Sequence, residues 1–145
     1  MHALQRSRGF TLIELLVVIV LIGVSIGLIS FGVGKGLQSA KERQALTQLV
    51  QSLRAARVQA IVTGQPAQTH FDLHKARFNG PDHKPHSLPQ DMHVQLVTAE
   101  GLGAAFEFYP DGGSSGGHLM LWRNDKRWRI DINWLTGSVQ LHTLN

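Results

Sequence analysis

Gly9-Phe10-Thr11-Leu12-Ile13-Glu14-Leu15-Leu16-Val17-Val18-Ile19 opens an apolar run that continues to about Val33 and carries a single carboxylate, Glu14, near its start. A helix needs roughly 20 apolar residues to span a hydrocarbon core, so the run predicts a membrane anchor over residues 10–33. An acid inside such a segment costs roughly 2.5 to 3.5 kcal/mol on insertion scales, which calls for a partner charge or a neutral form. Ahead of the run lies a polar leader, residues 1–9, with Arg6 and Arg8 and a terminal Gly9. A secretory signal would carry an Ala-x-Ala-like site after its apolar stretch. Here that stretch is followed by Gly34-Lys35-Gly36-Leu37-Gln38-Ser39-Ala40, so the hydrophobic segment is expected to be retained.

At these residues the chain resembles the type IV pilin and pseudopilin superfamily, whose signature is a basic leader, Gly-Phe-Thr-Leu-Ile-Glu and an apolar helix. The resemblance implies that a prepilin peptidase cleaves between Gly9 and Phe10 and methylates the new amino terminus on Phe10. It also implies that Glu14, then the fifth residue, pairs with the charged N-terminus of a neighbouring subunit during filament assembly. That supplies the partner which the buried carboxylate requires. The blander alternative, a signal anchor with a stray acid, does not account for Gly-Phe and the glutamate at this spacing.

Composition bounds the remainder. About 110 residues lie beyond the leader and anchor, enough for one small domain, residues 64–145, joined by a helical segment over 34–63. The absence of cysteine excludes disulfides, cysteine catalysis and thiolate metal sites. Many type IV pilins close a C-terminal loop with a disulfide, so its absence favours the pseudopilins. Residues 1–63 hold seven of the fourteen Lys and Arg against Glu14 and Glu42, while residues 64–145 hold seven basic and eight acidic side chains. The basic character therefore belongs to the leader and helix, and nucleic acid is not an expected partner of the domain. Lys35, Lys41 and Arg43 oppose the orienting pull of Arg6 and Arg8, so placement of the C-terminal domain in the periplasm rests on the resemblance.

Leu37, Ala40, Leu46, Leu49, Val50, Leu53, Ala56, Ala60 and Ile61 recur at helical spacing, with polar residues between them, and predict an amphipathic continuation ending at Gly64 and Pro66. Continuous from Phe10 to Thr63, the helix would measure about 80 Å. Gly23, Gly27, Gly32, Gly34 and Gly36 weaken it by up to about 1 kcal/mol each. Their spacing suits close approach of helices or local bending, and glycine enrichment of membrane helices accounts for them equally well.

Alternation and turn residues predict strands over 67–73, 93–98, 105–109, 118–122, 128–132 and 139–143, with 74–89 as a loop. The expected fold is α+β and pilin-like: a long N-terminal helix packed on antiparallel β-sheets. Phe106-Glu-Phe-Tyr-Pro-Asp-Gly-Gly-Ser-Ser-Gly-Gly117 and Leu135-Thr-Gly-Ser-Val139 resemble the C-terminal region of the minor pseudopilin H family of type II secretion systems. Fimbrial minor pilins of the T and U types share the pattern. The resemblance implies a subunit of the inner membrane, anchored by a single pass, that enters a periplasmic pseudopilus near its tip. Its implied partners are the other minor pseudopilins, the major pseudopilin, the prepilin peptidase and the inner-membrane assembly platform.

No residue pattern points to an enzyme, and no cofactor is expected. The 111–117 loop lacks the Gly-Lys-Ser/Thr ending of a phosphate cradle, and Asp111 alone makes a thin oxygen cage for calcium. His70 with His74, and His83 with His86, fall on strand and loop rather than one helix face, so no metal site is assigned. Residues 122–129, Trp-Arg-Asn-Asp-Lys-Arg-Trp-Arg, have the composition of a single-strand nucleic-acid platform. A hairpin turning at Asn124-Asp125, with Trp128 and Ile130 inward and Arg127 and Arg129 outward, explains them better than a DNA-capturing pilin does.

Overall fold

The structure, a computed structural model, describes residues 10–144, with the backbone alone for residues 29–33 and 35. The chain divides into two compact units, Met1–Ala40 and Lys41–Asn145. One helix, α1 (Leu12–Thr63), contributes to both. Its first turn is closed by the Thr11 carbonyl, which accepts from the Glu14 and Leu15 amides at 3.0 and 3.3 Å. Thr11-x-x-Glu14 also has the spacing of a capping box, and an acid in the first turn suits the positive end of the helix dipole. The glycines do not interrupt it, since α1 is one helix of 52 residues. It stops at Gly64, whose φ of 67° is the left-handed cap that glycine adopts without steric cost, and whose amide bonds the Ala60 carbonyl at 3.0 Å.

Within the second unit eight strands follow: β1 (Ala67–Asp72), β2 (Arg77–Asn79), β3 (Pro85–Ser87), β4 (His93–Val97), β5 (Ala105–Phe108), β6 (Gly117–Arg123), β7 (Lys126–Ile132) and β8 (Val139–Leu144). They form two antiparallel sheets, ordered β3-β2-β1-β5 and β4-β6-β7-β8. Strands expected from alternation are all present, within about two residues at each end. The segment 74–89, expected to be a loop, is corrected: it carries β2 and β3. Prolines and histidines mask the signal there, yet Phe78 is buried and packs on Phe71 with ring centroids 6.0 Å apart, which anchors the short β2 to β1.

Leu46, Leu49, Val50, Leu53, Ala56 and Ala60 of α1 share one core with Phe71, Phe106, Leu119, Leu121 and Ile130 of the strands. The expected stripe is too long at both ends. Leu37 and Ile61 are exposed, and Ala40 is too, because along α1 the apolar core begins at Ala45 and closes at Ala60.

Candidate functional site

Among the described residues, no side chain of the first unit belongs to the hydrophobic core. Phe10, Leu12 and Ile13 are 77%, 84% and 69% exposed, and the apolar residues that follow, through Leu28, are exposed around the whole circumference of α1. A helix that is apolar on every side requires cover from lipid or from other helices. Glu14 is exposed in the first turn, and among the described residues no cation pairs with its carboxylate. Among the described residues, a Cβ added at Gly23, Gly27, Gly34 or Gly36 would meet nothing within 4 Å. Among the described residues no helix is long and apolar enough to cross a membrane. The expected span extends into residues 29–33, whose side chains lie outside the described ones, as do the leader and Gly9.

The second unit is held by a charge cluster which sequence reasoning missed. Glu42 and Arg123 are both buried. Arg123 donates to Glu42 Oε1 at 2.9 Å and to Asp91 Oδ2 at 2.6 Å, and Lys126 Nζ reaches Glu42 Oε2 at 2.7 Å. The guanidinium hydrogen bond holds the Asp91 carboxyl below its ordinary 3.8, and Asp91 in turn raises Arg123 above its ordinary value. The signal was present: Glu42 precedes Ala45 and Leu46 at helical spacing, and Arg123 continues the inward alternation of Leu119 and Leu121.

The Gly/Ser loop after β5 is a fixed turn. Asp111 Oδ1 accepts from the Gly113 amide at 2.9 Å, and Ser114 Oγ donates to the Asn133 carbonyl at 3.0 Å. Arg57 Nε of α1 bonds the Gly112 and Thr136 carbonyls, both at 3.0 Å, so the helix end clasps this loop and the β7–β8 connection. Among the described residues no group of three or more His, Asp or Glu is placed to hold a metal ion. His70 lies on β1 and His74 in the following turn, while His86 stacks on Phe78. Arg127 and Arg129 point outward from β7 and Trp128 and Ile130 inward, as the hairpin reading expects. Asn124 makes the turn at a φ of 51°, a conformation that asparagine tolerates.

A long N-terminal helix followed by two antiparallel sheets is a pilin-like fold. Residues 4–30 match the prokaryotic N-terminal methylation motif, and residues 45–137 match the family described as type II transport protein GspH. The chain is 33% identical over 141 residues to type II secretion system protein H of Xanthomonas campestris pv. campestris, covering 94% of this chain and 83% of that one. The chain belongs to the GspH family of type II transport proteins. Its fold is similar to that of the minor pseudopilin EpsH of Vibrio cholerae, with a TM-score of 0.56 at 15% identity over 71% of this chain and 97% of that one. It is also similar to the type IV minor pilin FimU of Pseudomonas aeruginosa, with a TM-score of 0.57 at 14% identity over 72% and 90%.

Proposed function

We propose that this chain is a minor pseudopilin of a Gram-negative type II secretion system that works by assembly and performs no catalytic step of its own. The prepilin peptidase removes residues 1–9 by cutting between Gly9 and Phe10, and methylates Phe10. Residues 10–33 then store the subunit in the inner membrane as a single pass, with the head in the periplasm. On assembly the helix moves into a short periplasmic pseudopilus near its tip, among the other minor pseudopilins and the major pseudopilin, seated on the inner-membrane assembly platform. The filament drives export of folded proteins across the outer membrane.

The observation that carries the reading is the carboxylate of Glu14, in the first turn of a helix whose residues through Leu28 are exposed and apolar on every side. In a low-dielectric surrounding such an acid is stabilised by an opposite charge, and the positive N-terminus of an adjacent Phe10 provides one. Glu14→Ala should therefore reduce incorporation into the filament while membrane insertion and leader cleavage persist. Normal incorporation of that variant would remove the pairing from the mechanism. Similarity to FimU supports a second reading, a type IV fimbrial minor pilin serving pilus assembly or DNA uptake. The matched family and the curated relative both favour secretion.

A further inference from the structure

The outer face of the second sheet is unlike an ordinary solvated sheet. Cross-strand register places His93, Trp122 and Arg127 in one row, and Gln95, Met120 and Arg129 in the next. The His93 and Trp122 rings stack 5.5 Å apart at 20°. Between Gln95, Met120, Trp122 and Arg127 opens a cleft of about 230 Å³.

The charges on this face are unequally matched. Asp131 is the acid that these strands turn outward; it accepts from Arg129 at 2.8 Å and lies 3.7 Å from His142. Arg127 is exposed, and among the described residues no carboxylate pairs with it. Trp, Met and Arg are the side chains enriched at the centres of protein interfaces, where a fitted ring and a desolvated guanidinium supply much of the binding energy. An unmatched cation beside an apolar cleft complements a carboxylate beside an apolar side chain. A single nucleic-acid strand asks for successive stacking rings along a cationic groove. Here there is one outward tryptophan, already covered on one side by His93, and residues 64–145 carry more acid than base.

We propose that this face, centred on Trp122 and Arg127, docks an acidic segment of a neighbouring filament subunit, with an apolar side chain seated in the cleft and a carboxylate on Arg127. The inference rests on the filament-subunit reading and adds to it the surface and the chemistry of the partner.

Because the chain contains no cysteine, Gln95→Cys places a single thiol in the cleft and Lys75→Cys a control thiol on an exposed turn. Full-length variants would be labelled in cells with a maleimide that does not cross the inner membrane. The Gln95→Cys thiol should react about tenfold more slowly when the other filament subunits are present than when they are deleted. Lys75→Cys should react equally in both strains. Adding Arg127→Glu, or separately Trp122→Ala, should restore fast labelling of the cleft, whereas Arg127→Lys should keep it protected. Equal labelling of the cleft in the two strains overturns the proposal, as does protection that survives Arg127→Glu. Protection that persists without the other subunits also overturns it: loss on nuclease treatment would identify nucleic acid, and persistence would identify a second copy. Export lost on deletion of the gene while the cleft stays unprotected would sink this surface alone; export unaffected by the deletion would sink the filament reading itself.

Discussion

Arg123 ties three parts of the head together through one guanidinium: Glu42 on α1, Asp91 ahead of β4, and its own strand β6. Removing one member of a buried charged hydrogen-bond set leaves the others poorly matched. Glu42→Ala should therefore destabilise the head by about 2 kcal/mol, read as a lowered denaturant midpoint of the full-length protein in detergent micelles. Asp91 gives the cluster a pH signature. A carboxyl held below its ordinary 3.8 adds stability above that value, and the contribution is lost as pH falls through the lowered one. Asp91→Asn should thus lower Tm at pH 7, and the gap to the unaltered protein should close as the pH is brought below 3.8. A gap that stays constant across that range would remove the charge from the account. The role proposed for Glu14 is of a different kind, since it calls for a partner on another molecule. That is why one sequence motif suffices to point to it, whereas the Glu42 cluster needs three distant segments to be brought together.

Among the elements, glycines divide by what surrounds them. Gly137, at a φ of 63°, lies where an added Cβ would collide with the Gly112 carbonyl oxygen and meet Arg57 Nε at 2.8 Å. Gly137→Ala should loosen the junction of α1 with the β7–β8 connection at a cost of about 1 to 3 kcal/mol, seen as a lower Tm. Gly27 has nothing within 4 Å, so Gly27→Ala should leave the isolated subunit as stable as before or slightly more so. A loss of filament incorporation in that variant would then report contact with another chain. Strand alternation was legible wherever one face is buried, as in β6 and β7, where Leu119, Leu121, Trp128 and Ile130 point inward at every second position. It failed in 74–89, because three-residue strands are too short to show a period and Phe78 is the one inward aromatic that fixes β2. The helix pattern was legible in its centre and overrun at its ends, since apolar residues such as Leu37 and Ile61 continue the spacing after the core has stopped.

At the scale of the whole molecule, the apolar part of the helix and the charged, well-packed head differ in kind. The head is held by its own core, while the first unit presents apolar side chains that are exposed among the described residues. Such a division suits a subunit that is stored in lipid and then inserted among other helices, and the N-terminal methylation motif could be read because its residues are contiguous. The outer face of the second sheet could not be read in that way, because Trp122 and His93 meet only through strand pairing. The most direct test is deletion of the gene, scored in parallel for extracellular release of periplasm-folded enzymes and for twitching and DNA uptake. Loss of release with twitching and uptake intact is the predicted result; normal release with loss of twitching or uptake would contradict it and place the chain among the fimbrial minor pilins.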